Sequence, residues 1–237
     1  MPSLLRASIV TCLLPLSVAA AVADTPQVQN AQLDALLTAR QFERQPQNQS
    51  ADWLYAMTVS QAGQKAWIIQ KAASGDTAKR AFKVRNTLFT FAAREVLRWQ
   101  DRYMGEQASG NRFEGRYVYA TFIAGLYLRY AGDYWAAREY LGEAAMQIGA
   151  LKSGQRMPRY AQTKLDTAID RELSGVEAIV RRYGSTPPYD RIAHFGMSTD
   201  GMLQRSGAAA DFVYAQANDD PPLLAAAAPS LVTNAPR

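Results

Sequence analysis

The chain has 237 residues, of which 48% are hydrophobic and 20% charged, and its formal net charge at pH 7 is +5. This composition supplies a buried core and excludes a chain that is disordered throughout. One cysteine, Cys12, and one histidine, His194, exclude a disulfide framework, an iron–sulfur cluster, a thiolate zinc site and the common multi-histidine metal centres. We therefore expect neither a metal nor a cofactor.

Residues 1–23 have the pattern of a secretory signal peptide. Arg6 is the only charged residue among them, an uncharged run of 17 residues covers 7–23, and Ala21-Val22-Ala23 provides a small-x-small cleavage site. The alternative is a retained membrane anchor, but the run is short for a span and Pro15 interrupts it. We expect cleavage and a periplasmic or secreted protein without a membrane span.

Cleavage would change the charge and the thiol content of the chain. It removes one of the 26 basic residues and none of the 21 acidic ones, which leaves a net charge of +4. It also removes Cys12, so that the mature chain would have no cysteine and could not form wrong disulfides in an oxidising compartment.

After residue 24, apolar residues at helical spacing predict a series of helices. The first covers about 31–44. Ser50 can cap the second through its side-chain oxygen, and Gly63 kinks or splits that helix. No stretch shows the sustained alternation of a β-strand, and the joins are short, so we predict an all-α fold of antiparallel helical hairpins.

Two consecutive segments predict helices of different kinds. Residues 77–104 have an apolar face and a basic face, which indicates an amphipathic helix whose N-cap is Asp76 or Thr77. Residues 117–131 are apolar on every side, which is typical of a helix buried between its neighbours.

The remaining helices follow at short intervals. One runs from Tyr134 to about Ile148, and Pro158 opens the next, which reaches Tyr183 and is capped by Gly184. A further short helix is predicted near 207–217. The domain prediction is therefore a single α-helical domain over 24–217, followed by a disordered tail over 218–237 that is rich in Asp, Pro and Ala.

Small and large apolar residues alternate in a specific order over 118–151. With Val118 as the first position, Gly125 is the small residue of the first helix, Gly132-Asp133-Tyr134 is the turn, and three packing positions follow at Ala137, Leu141 and Ala144. This pattern resembles a tetratricopeptide repeat, a helix–turn–helix unit of 34 residues. Thr121 replaces the early aromatic of that pattern, Gly149 replaces its closing proline, and the flanking segments do not repeat it.

The resemblance implies a tetratricopeptide-like helical bundle or short solenoid that acts as a binding scaffold. In such repeats the first helix of each pair lines a concave groove. The positions that correspond to groove residues, and that would bind a protein or peptide, are Tyr119, Phe122, Leu126, Arg129 and Tyr130. The alternative is that these side chains pack against neighbouring helices, because their helix is apolar all round.

The basic face of the 77–104 helix is a second candidate surface. Arg94, Arg98 and Arg102 repeat every four residues, and Lys83 extends the stripe. One interpretation is an anion-binding surface for lipid or lipopolysaccharide phosphates or for an acidic protein. The other is a solvated face on which Glu95 and Asp101 pair with the arginines. Arg85 lies within the apolar face, so we expect it either to snorkel or to pair with a carboxylate from another helix.

These patterns favour a non-enzymatic periplasmic scaffold that binds a protein or peptide, as an accessory component of an envelope complex. The alternative is an envelope enzyme acting on a glycan through two carboxylates. Its candidates lie near the outer face of the helix that ends at Tyr183, at Asp166, Asp170, Glu172 and Glu177. His194 has no nucleophile motif beside it, and we expect it to be structural. A nucleic-acid partner is not expected for an exported protein.

Overall fold

The computed structural model describes residues 25–40, 48–104, 115–154, 159–189 and 198–217. Within these ranges the chain is helical and contains no strand, which confirms the all-α prediction. The helices are α1 (Pro26–Leu37), α2 (Gln49–Ala72), α3 (Gly75–Met104), α4 (Gly115–Ala131), α5 (Tyr134–Gly154), α6 (Arg159–Tyr183) and α7 (Thr199–Ala217), and a short 3-10 turn at Thr38–Arg40 follows α1. The predicted signal peptide, the predicted tail and His194 lie outside the described residues.

Several helix boundaries differ from those expected from the sequence. Asn48, not Ser50, caps α2, because its Oδ1 accepts a hydrogen bond from the Ala51 amide at 2.9 Å. α2 passes through Gly63 without interruption, and a Cβ atom at that glycine would lie 3.0 Å from the Phe89 ring. The glycine therefore permits close packing of α2 on α3 and does not break the helix.

The helices pack mainly on their neighbours in the chain. α1 lies against α2 and α3, each of the helices α2 to α5 packs on the next one, and α7 returns to α3. The buried side chains of all seven helices form one hydrophobic cluster, whose largest side chains include Trp53, Trp99 and Trp135. α4 is buried on nearly every side, as its composition predicts. None of the helices in the described ranges combines the length and the apolar character needed to cross a membrane.

The α4–α5 hairpin has the close contact that its repeat-like pattern predicts. A Cβ atom at Gly125 would lie 2.9 Å from Leu141 Cγ and 3.2 Å from the Leu141 backbone nitrogen. Ala137, Leu141 and Ala144 are fully buried. The absence of a side chain at Gly125 is therefore what allows the two helix backbones to approach.

The turn between α4 and α5 fixes the direction of the hairpin. Gly132 has a φ of 90°, which ends α4, and Asp133 Oδ1 caps α5 by accepting from the Ala136 amide at 3.1 Å. The hydroxyl of Tyr189 donates to the same Asp133 oxygen at 2.9 Å.

Gly184, with a φ of 104°, follows α6 at the predicted cap position. α5 extends beyond the predicted end, to Gly154.

Candidate partner-binding surfaces

The predicted groove residues of α4 divide into two groups. Phe122 and Leu126 are only 4% and 5% exposed and belong to the hydrophobic core. Tyr119, Arg129 and Tyr130 keep part of their surface exposed. α4 is thus buried on nearly every side, and only three of its predicted binding residues remain partly accessible.

The two tyrosines of this set also contact other helices. The Tyr119 ring stacks on Trp53 of α2, with a distance of 6.0 Å between ring centroids. The Tyr130 ring lies 5.5 Å from that of Phe89 on α3. Because each ring has one side against the core, packing holds both side chains in place.

Arg129 links α4 to α6 through an ion pair with Glu172. Glu172 also accepts from Arg171, whose Nη2 and Nε atoms lie 2.9 and 3.0 Å from its Oε1. A Cβ atom at Gly175 would lie 3.5 Å from Arg129 Nη2, so this glycine leaves room for the guanidinium. The sequence placed Glu172 near an outer helix face, but the structure shows it 8% exposed, because Arg129 reaches it from another helix.

Tyr130 lies beside the same charges. Burial raises the pKa of Tyr130 above its ordinary value, and the positive charges of Arg129 and Arg171 oppose that shift. We call the group of Arg129, Tyr130, Arg171 and Glu172 the α4–α6 patch. It combines two guanidinium groups, one carboxylate and one aromatic ring, and therefore has a formal charge of +1.

The predicted basic stripe of α3 is largely neutralised by carboxylates. Arg98 pairs with Glu95 at 2.9 Å, as the solvated-face interpretation predicts. Arg102 pairs with Asp52 of α2, which also accepts from the Tyr103 hydroxyl at 2.6 Å. The sequence did not indicate Asp52 as a partner because it lies on another helix.

The other two cations of the stripe have different surroundings. Lys83 Nζ lies 3.0 Å from Asp211 Oδ1 of α7, and this partner too is distant in the sequence. Arg94 is half-buried, and its Nε atom is buried without a hydrogen-bond partner among the described residues. Arg98 is exposed, so an anion would reach the stripe most directly at Arg98, in competition with Glu95.

Arg85 is buried, and its partner is an amide. Its Nη1 donates to Gln70 Oε1 at 2.9 Å, and its guanidinium lies 4.8 Å from the centroid of the Phe82 ring. Burial lowers the pKa of Arg85 to about 10, an effect that Tyr134 partly opposes. The expected pairing with a carboxylate is wrong, since Gln70 occupies that position.

Seven tyrosines between Tyr119 and Tyr189 are at least partly buried. Burial raises the pKa of each above its usual value of 10.0, and that of Tyr119 reaches about 12. The tyrosines affected in this way on α4 to α6 and just after α6 are Tyr119, Tyr127, Tyr130, Tyr134, Tyr140, Tyr183 and Tyr189. We therefore expect the fold to lose stability at high pH.

The carboxylates proposed for glycan chemistry have separate environments on α6. Glu172 forms ion pairs with two guanidinium groups, those of Arg129 and Arg171. Glu177 lies 3.8 Å from Arg181, and Asp170 is exposed. In the part of the chain that the structure describes, no three His, Cys, Asp or Glu side chains come together in a way that could hold a metal ion.

Comparison with known proteins supplies no relative, because no family model, no curated protein and no solved structure matches the chain. The seven packed helices of the described ranges are compatible with a helical repeat-like protein. Contacts within this chain therefore carry the functional proposal.

Proposed function

We propose that the chain is an exported helical scaffold that binds a protein or peptide in the cell envelope, as an accessory component of an envelope complex. The observation that carries this proposal is the α4–α6 patch. It places an aromatic ring and two guanidinium groups, partly accessible, across two helices whose positions the bundle determines. Tyr and Arg are the residue types that most often dominate the energy of a protein interface.

The tetratricopeptide-like character of the scaffold is part of the proposal. The contact between Gly125 and Leu141 supports it, because close helix approach at a small residue is what the repeat pattern requires. The return of α7 to α3 means that the described helices do not continue as an open array of equal hairpins. A compact bundle built around one repeat-like hairpin fits both observations.

The chemistry of the α4–α6 patch favours an acidic partner segment. Arg171 has a side chain that is 73% exposed, and Glu172 occupies only one side of it. A carboxylate of a partner could therefore bind Arg171 without displacing Glu172, while an apolar partner side chain packs on Tyr130. An anionic envelope component binding at Arg94 and Arg98 is the second candidate, favoured by the exposed side chain of Arg98.

The binding proposal is tested by quantitative capture from an envelope extract, with mass spectrometry as the readout. Arg129→Ala and Tyr130→Ala should each reduce capture of the main partner about tenfold, which corresponds to about 1.4 kcal/mol. The matched controls are Arg181→Ala, which also removes an arginine paired with a glutamate of α6, and Tyr160→Ala, which removes an exposed tyrosine. Both controls should leave capture unchanged.

Stability measurements separate binding from folding. Phe122→Ala should lower the unfolding free energy by about 3–5 kcal/mol, because it removes a buried ring from the core. Arg129→Ala leaves Glu172 paired with Arg171 alone, and Tyr130→Ala removes a ring that packs on Phe89, so both patch variants should melt below the wild type but above Phe122→Ala. If they are fully folded at the temperature of the capture assay and still capture the partner as the wild type does, the α4–α6 patch is not the binding site, and Arg94 and Arg98 become the surface to test.

The proposed location rests on residues 1–23 and has its own test. N-terminal sequencing of protein from its native host should begin within a few residues of Asp24. Recovery of the intact chain from Met1 in the membrane fraction would contradict export to the periplasm.

A further inference from the structure

Arg85 is a buried cation that no carboxylate of the described residues neutralises. It is 4% exposed, and the ion pairs of the described helices join other arginines and lysines to Asp or Glu. Burial lowers the pKa of Arg85 only to about 10, so the group keeps its charge at neutral pH. A buried charge is costly unless it is paired, and a counter-charge is therefore expected at this position.

One N–H group of the Arg85 guanidinium has no partner in the part of the chain that the structure describes. Nη1 donates to Gln70 Oε1 at 2.9 Å, and the Phe82 ring centroid lies 4.8 Å from the guanidinium carbon. The Nε atom is buried and makes no hydrogen bond to a described residue. Nε and Nη2 form the side edge of the guanidinium, and the two N–H groups of this edge match the two oxygens of a carboxylate.

Two positive charges act at Tyr134, beside Arg85. Tyr134 is 1% exposed, and burial raises the pKa of its hydroxyl, whereas the charges of Arg85 and Arg129 oppose that shift. Glu172 pairs with Arg129 and so neutralises one of these charges. The excess positive charge beside Tyr134 therefore belongs to Arg85, and it favours an anion at this place in the bundle.

We propose that Arg85 binds a small organic anion inside the bundle, with the two oxygens of its carboxylate on Nε and Nη2. Gln70, which is 8% exposed, holds Nη1 and thereby fixes the plane of the guanidinium. Because the amide is neutral, it leaves the charge of Arg85 to the anion. This site goes beyond the α4–α6 patch and shares no residue with it, so it can be tested without a protein or peptide partner.

The first test compares the melting temperature of the wild-type chain in sodium formate and in sodium chloride at equal ionic strength. Formate at ten times its dissociation constant should raise the folding equilibrium constant about elevenfold, which is about 1.4 kcal/mol and about 3–6 °C for a chain of this size. The bound state is compared with the unfolded chain at equilibrium, so the result does not depend on how fast the anion enters. A formate series that melts no higher than the chloride series would overturn the proposal.

The second test supplies the carboxylate from the chain itself. Gln70→Glu keeps the size of the side chain and places a negative charge beside Arg85, so the rise in melting temperature with formate should be lost. The matched control is Gln61→Glu, which makes the same replacement at an exposed position of α2 and should keep the whole rise. If the two variants respond equally to formate, the anion binds elsewhere and the proposal fails.

An apolar pair of substitutions gives an independent measurement at the same site. Arg85→Met combined with Gln70→Leu removes the charge together with its amide partner, and this variant should melt at the same temperature in formate and in chloride. Arg98→Met removes an exposed arginine and should keep the wild-type difference between the two salts. A formate effect of wild-type size in the double variant would show that Arg85 does not bind the anion.

Discussion

Gly125 offers the sharpest test of how the α4–α5 hairpin is packed. Substitution by alanine has two opposing effects. In a helix interior, alanine is favoured over glycine by about 0.8–1.0 kcal/mol. The added Cβ atom, however, would lie 2.9 Å from Leu141 Cγ and 3.2 Å from the Leu141 backbone nitrogen. The Leu141 side chain can rotate, but its backbone nitrogen can move only if the two helices separate.

The packing effect should exceed the helix-propensity effect. Overpacking of a dense core costs about 1–3 kcal/mol, so Gly125→Ala should range from neutral to about 2 kcal/mol destabilising. Gly125→Leu should cost more, because it adds three further carbons at the same contact. The matched control is Gly142→Ala on α5, where no atom lies within 4 Å of the added Cβ. That variant should gain up to about 1 kcal/mol from helix propensity alone.

The assay is urea denaturation followed by circular dichroism, with thermal melting as a second measurement. The unfolding free energies of Gly125→Ala and Gly142→Ala should differ by about 1–3 kcal/mol. For a protein of this size the difference corresponds to about 2–12 °C in melting temperature. If both substitutions stabilise the protein equally, the close contact of α4 with α5 is absent and the repeat-like packing argument fails.

Two other predictions concern buried ionisable groups. The buried tyrosines named above have folded-state pKa values above 10, so above pH 10 the unfolded chain loses protons that the folded chain retains, and the urea midpoint should fall as the pH rises further. Arg85 has a lowered pKa, so it loses its proton in the folded chain before it does in the unfolded chain, and this single group opposes the trend. A urea midpoint that stays constant between pH 9.5 and 11 would contradict the reasoning. Arg85→Met alone should leave Gln70 Oε1 without its donor, whereas Arg85→Met combined with Gln70→Leu should melt above the single variant and at or above the wild type. A double variant that melts below the single one would show that the pair contributes net stability.

Most of the secondary structure follows from local patterns that the sequence alone displays. The hydrophobic periodicity of 77–104, the all-round apolar character of 117–131 and the stop at Gly132-Asp133 each depend on residues within one helix or one turn. The close approach at Gly125 could also be predicted, because the repeat-like pattern requires a small residue there, whereas its contact with Leu141 came from the structure. Boundaries were less accurate, since Asn48 and not Ser50 provides the cap of α2.

The partners of charged and polar groups were decided only by the tertiary structure. Arg129 meets Glu172, Arg102 meets Asp52, and Arg85 meets the amide of Gln70 in place of a carboxylate. Each pair joins residues on different helices, and no periodicity within one helix specifies which residue another helix brings opposite. The same reason applies to α7. The sequence predicts a short helix near 207–217 but does not indicate that this helix packs on α3. The sequence by itself therefore determined an all-helical chain with a close helical hairpin at 118–151. The positions of side chains on separate helices determined which charges are neutralised and which side chains stay exposed.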